Sequence, residues 1–116
     1  MACESANVAI EFALVLPAIA MLLVGTLFTG LVVHAASSLN NAVEQAARCY
    51  AVNASQCGSA ATVQAYALSR YNGMSQPTFT VSTPSCGHKV SGAVTIAFDV
   101  AATSWNVPLS ATACYP

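Results

Sequence analysis

Residues 12–33 read FALVLPAIAMLLVGTLFTGLVV, a run without one charged side chain. It exceeds the roughly 20 apolar residues that cross a hydrocarbon core of about 30 Å. A secretory signal has an apolar core of roughly 7–15 residues behind a positive patch. Here the run is longer, and the residues before it, MACESANVAIE, carry no Lys or Arg. The small residues Ala35-Ala36-Ser37 form a weak cleavage site, so secretion with a cut near Ser37 is the competing reading. The run itself predicts a transmembrane or filament-core helix.

Downstream of the run the apolar residues become periodic. Ala36, Leu39, Val43, Ala46 and Tyr50 recur every three or four positions, with Ser37, Ser38, Asn40, Asn41, Glu44, Gln45 and Arg48 between them. That is one stripe of an amphipathic helix. A single helix over residues 5–51 is therefore expected, apolar all round in its first half and amphipathic in its second. At about 1.5 Å per residue it approaches about 70 Å, too long for a small domain to bury alone. Pro17 removes one backbone donor inside it. Gly25 and Gly30 permit close helix approach, although their spacing is not GxxxG.

Residues 52–58 (VNASQCG) hold turn formers and end that helix. A second helix is expected over residues 59–71, with Ser59 as N-cap, an inner stripe of Val63, Tyr66, Ala67 and the stem of Arg70, and Asn72-Gly73 as its stop. The period then switches to two. Three half-buried strands are expected at 78–83, 89–101 and 107–114, with turns at 83–87 and at Ser104–Asn106. Short connections favour an antiparallel meander, and the amphipathic half of the long helix is its natural cover. The fold class is α+β.

The composition excludes several functions. Of 116 residues 56% are hydrophobic and 6% charged, against about 25% charged in an ordinary soluble domain. Three Lys+Arg against four Asp+Glu cannot form a basic nucleic-acid face. There is no carboxylate pair in the sheet region, no Ser-His-Asp order, no nucleophile elbow, no phosphate loop and no HExxH. His34 reads as a helix-packing or interfacial residue and His88 as a solvated turn residue. Asn53-Ala54-Ser55 matches the N-glycosylation sequon, a match that chance also produces. No metal and no cofactor is expected.

Five cysteines are present, Cys3 before the apolar run and Cys49, Cys57, Cys86 and Cys114 after it. Four on one side suit a small domain stapled in an oxidising compartment, and three pairings are open. The favoured pairing joins Cys49 to Cys57, at the helix end, and Cys86 to Cys114, between the first sheet turn and the last strand. The bland alternative is four buried thiols in a reducing compartment.

Glu11 stands at the head of the apolar run, in VAIEFALVLP. At headgroup level it costs little. Deeper, an acidic residue costs about 2.5–3.5 kcal/mol and demands a partner. No Lys or Arg precedes Arg48, so the only cation near this end is an α-amino group, its own or a neighbour's.

NVAIEFALVLPAIAMLLVGTLFTG followed by AVEQAAR resembles the TadE-like family of the tight-adherence (Tad) pilus systems, relatives of type IV pilins. VTIAFDV and PLSATACYP are similar to that family's sheet region. The resemblance implies a leader of residues 1–6, cut by a prepilin peptidase between Ala6 and Asn7. Ala6 stands where the family usually has Gly, and MACESA lacks the family's basic residues. An assembly helix of residues 7–36 and an extracytoplasmic head of residues 37–116 would follow. Glu11, with Phe12 after it, would be the assembly glutamate. Pro17, Gly25 and Gly30 would shape the packing helix. The implied partners are copies of the chain or other pilin subunits in a helical filament, the pilus assembly machinery, and the inner membrane before assembly. The implied location is the bacterial inner membrane, then an extracellular pilus. Two other classes stay open, a monomeric membrane-anchored binding module and a secreted small disulfide protein.

Overall fold

A computed structural model describes residues 2–100 and 102–116 of the chain. The apolar run and the periodic segment after it form one helix, α1 (Ala2–Val52), with Pro17 inside it. The chain divides after Leu31 into two compact units. In the first, residues 3–31 are helical and exposed, apart from a half-buried Phe28.

The second unit, residues 32–116, is an α+β head. It holds the remainder of α1, a short helix α2 (Ala60–Arg70) and three strands, β1 (Thr78–Ser82), β2 (His88–Val100) and β3 (Thr103–Tyr115). The strands form one antiparallel meander in the order β1-β2-β3. Register runs from Thr78↔Ala93 to Ser82↔Lys89 on one side of β2, and from His88↔Tyr115 to Val100↔Thr103 on the other.

The head's core lies where the amphipathic stripe meets the sheet. Leu39, Ala42, Val43, Ala46, Ala47 and Cys49 of α1 cluster with Val63 and Ala67 of α2 and with Phe79, Val90, Val94 and Ala111 of the strands. Alanines at 42, 46 and 47 let the helix backbone approach closely. Gly92 serves the same purpose from the sheet: a Cβ there would fall 2.8 Å from the Phe79 ring and 2.9 Å from Leu39. The period-two pattern of β2 places Val90, Val94 and Ile96 inward and Ala93, Thr95 and Ala97 outward.

Local chemistry fixes the ends of the elements. Ser59 caps α2 in a capping box: its Oγ accepts from the Thr62 N–H (3.4 Å), and the Ser59 N–H donates to the Thr62 Oγ1 (3.0 Å). Gly87, at φ 121°, turns the chain into β2, with its N–H donating to the Pro84 carbonyl (3.0 Å). A side chain there would be strained and would strike the Tyr115 carbonyl.

Three local expectations are corrected. Ser104–Asn106 is strand rather than turn, because β3 begins at Thr103 and pairs at once with Val100. The long β2–β3 ladder outweighs the turn preference of Ser and Asn. The expected strand end at Ala101 lies outside the described residues. Arg70 does not line the inner stripe of α2; it is exposed, with its guanidinium 5.0 Å from the centroid of the Tyr66 ring. His88 is not a solvated turn residue but opens β2, half-buried, its ring edge-on to Tyr50 at 4.4 Å.

Candidate functional site

The first unit is an apolar helix whose side chains face outward all round. Phe12 is 64% exposed, Leu14 74%, Met21 77% and Leu27 70%. Burying a side chain of this kind is worth about 1.5–3 kcal/mol. A dozen of them left in water would be prohibitive, so the helix demands an apolar surrounding. It is long and apolar enough to cross a membrane.

Its polar groups are few and mostly answered within the helix. The Thr26 hydroxyl donates to the Leu22 carbonyl (2.7 Å) and the Thr29 hydroxyl to the Gly25 carbonyl (2.8 Å). Such back-bonding hides a hydroxyl in an apolar medium and slightly loosens the helix. Gly25 and Gly30 have open space where a Cβ would sit. Glu11 is exposed and has no hydrogen-bond or ion-pair partner among the described residues. The chain's three basic residues, Arg48, Arg70 and Lys89, all belong to the head. Glu11, Phe12, Pro17, Gly25 and Gly30 thus lie along one helix, with Ala6 and Asn7 in the turns before Glu11.

The head offers no comparable chemical centre. Among the described residues no three His, Cys, Asp or Glu side chains gather where they could hold a metal ion. A shallow groove of about 510 Å³ is lined by His34, Ser37, Ser38, Asn40, Asn41, Glu44 and Asn72. It holds no nucleophile–base pair. Its polar groups instead fasten the chain after α2. The Asn72 N–H donates to the Ser38 Oγ (2.8 Å), and the Asn72 carbonyl lies 3.2 Å from the His34 Nε2. A carbonyl only accepts, so this contact places the imidazole proton on Nε2. His34 thus holds the segment after α2 through a hydrogen bond while remaining exposed. Sequence reasoning could not have found its partner, which lies 38 positions away.

Both cysteine pairs of the head are bonded. Cys49–Cys57 closes the end of α1 onto the following loop, and Cys86–Cys114 joins the β1–β2 turn to β3. Cys3 is exposed and unbonded.

No curated protein and no solved structure matches the chain. A family model, that of TadE-like protein, matches residues 7–48. The match covers the apolar run and nearly all of the amphipathic part of α1, and it ends beside Cys49. This segment, from Asn7 through Glu11 and the apolar run to Arg48, is similar to the TadE-like family.

Proposed function

We propose that the protein is a structural subunit of a Tad-type, type IV-like pilus. The observation that carries this reading is the largely exposed apolar helix of residues 3–31, coinciding with the TadE-like match that begins at Asn7. The helix waits in the inner membrane and then packs against the helices of other subunits. The transfer costs little hydrophobic energy, since both surroundings are apolar. Small residues at Ala18, Ala20, Gly25 and Gly30 permit close packing.

Prepilin peptidase cuts between Ala6 and Asn7 and leaves a new α-amine four residues before Glu11. In the filament that amine, on a neighbouring subunit, neutralises the Glu11 carboxylate and sets the register. The pairing supplies the cation that the helix itself lacks. The head faces the extracytoplasmic side, where its disulfides persist. With 6% charged residues in the chain, few ions need desolvation when subunits meet.

The test is the intact mass of the native protein, followed by Glu11→Ala. A chain beginning at Asn7, together with loss of filaments but not of the membrane-bound oxidised head in Glu11→Ala, is the expected result. A chain beginning near Ser37 sinks the reading in favour of secretion. Normal filaments, or none in either protein, would remove Glu11 from assembly.

A further inference from the structure

The loop that follows α1 carries a feature the pilin reading does not use. Asn53, Ala54, Ser55 and Gln56 are all exposed, within the eight-residue separation closed by Cys49–Cys57. Asn53 organises this loop through its backbone. Its N–H donates to the Cys49 carbonyl (2.8 Å), and its carbonyl accepts from the Cys57 N–H (2.9 Å). Its side chain points to chemistry. The Ser55 Oγ donates to the Asn53 Oδ1 at 2.7 Å, the Gln56 N–H reaches the same oxygen at 3.2 Å, and the Asn53 Nδ2 lies 3.3 Å from the Gln56 Oε1.

We infer that Asn53 is an N-glycosylation site whose acceptor is the Nδ2 of the carboxamide. The inference rests on the reading that the head is exported. An amide nitrogen is a poor nucleophile because its lone pair is delocalised onto the carbonyl oxygen. The sequon places a hydroxyl two residues on, and here the Ser55 hydroxyl already sits on that oxygen, so it stabilises the negative charge that builds there when Nδ2 loses a proton. The donor is a glycosyl group carried on a pyrophosphate. Nδ2 gives one proton to a base of the transferase and forms a bond to the sugar C1. The C1–O bond breaks, and the pyrophosphate leaves with its electron pair. No oxidant or reductant is involved. The site is accessible without unfolding, because the acceptor lies on an exposed turn held in shape by the disulfide rather than in helix or sheet.

Trypsin makes the test direct. Arg48 and Arg70 flank the segment with no Lys or Arg between them, so one peptide, residues 49–70, holds Asn53 and the intact Cys49–Cys57 bond. That peptide, from native protein digested without reduction, is weighed before and after treatment with a peptide N-amidase. The expected result is a mass raised by whole sugar residues, removed by the amidase with conversion of Asn53 to Asp. The added mass is lost in Asn53→Gln and in Ser55→Ala and kept in Ser55→Thr. An unmodified peptide overturns the inference, and so does a sugar that persists in Asn53→Gln, which would be linked to a hydroxyl. The same spectrum reports the disulfide separately. An oxidised but sugar-free peptide removes the glycosylation site and leaves the exported head intact, whereas a reduced peptide counts against export itself.

Discussion

One helix, α1, obeys two different rules along its length. Through residues 3–31 large apolar side chains face outward in every direction, and the fold buries none of them fully. Beyond Leu31 the same helix sorts its residues: Leu39 and Val43 are 1% exposed, while Asn40, Asn41 and Glu44 face out. Both parts belong to one continuous α-helix, so the contrast lies in the solvent each is written for. The second part is stabilised by its own sheet. Among the described residues the first contributes no side chain to the head's core, and its exposed apolar surface calls for an apolar surrounding. A side chain therefore belongs to the head's core in one part and stays outside it in the other.

The sharpest way to break this contrast is a matched pair of truncations. Leu39→Ala removes a buried side chain that lies over Gly92, and it should cost the head about 2–5 kcal/mol. Leu22→Ala removes one that is 69% exposed and should leave the unfolding temperature of the detergent-solubilised head unchanged. Equal losses in both would mean that residues 3–31 belong to the cooperative unit of the head.

The disulfides give the next largest effect and grade stability inside the head. Closing 28 residues constrains the unfolded chain more than closing 8. The chain-entropy relation gives about 3.6 kcal/mol for Cys86–Cys114 and about 2.5 kcal/mol for Cys49–Cys57. Exposure runs the same way: Cys86 is exposed, whereas Cys57 is fully buried and Cys49 nearly so. Graded reduction followed by alkylation should therefore label Cys86 and Cys114 first and remove most of the stability at that step. Labelling of Cys49 and Cys57 first would reverse the order and show that the α1 end opens more readily than the sheet.

A smaller effect sits at the start of α2. Ser59→Ala removes one half of the capping box and should lower head stability by about 1 kcal/mol, with Ser59→Thr restoring most of it. Unchanged denaturant midpoints for Ser59→Ala would show that packing of Val63 and Ala67 alone holds this helix.

Much of this architecture was legible because it rests on local rules. The uncharged run, the stripe of Leu39, Val43 and Ala46, the Ser59 cap and the alternation of Val90, Val94 and Ile96 are readable from neighbours in sequence. The misread turn at Ser104–Asn106 shows where such rules stop. Ser104 and Asn106 favour turns individually, but in the fold they pair with Asp99 and Ala97 across the hairpin. His88 and His34 were opaque for the same reason: their partners, Tyr50 and Asn72, lie 38 positions away, and nothing local marks them. For the site the division differs. Glu11 was conspicuous by its charge in an apolar stretch, yet nothing among the described residues pairs with it.

Tyr71 offers the smallest effect and confines it to the head, since Tyr50, Tyr66, Tyr71 and Tyr115 all lie beyond Leu31. Its ring closes over Gly73, and its hydroxyl is buried without a hydrogen-bond partner among the described residues. Burial raises its pKa above the ordinary 10.0 by penalising the phenolate. The unfolded chain thus loses this proton at a lower pH than the folded one. The contribution of the neutral phenol is fully present below pH 10.0 and is lost as pH rises through the higher folded value. Tyr71→Phe removes a hydroxyl that has no partner to lose, so at neutral pH it should be neutral or slightly stabilising. Its signature is a flatter fall of head stability above pH 10.0, measured by thermal unfolding across an alkaline series. If the variant instead destabilises the head at neutral pH, the hydroxyl has a partner, and a bound water against the chain near Gly73 would be the first place to look.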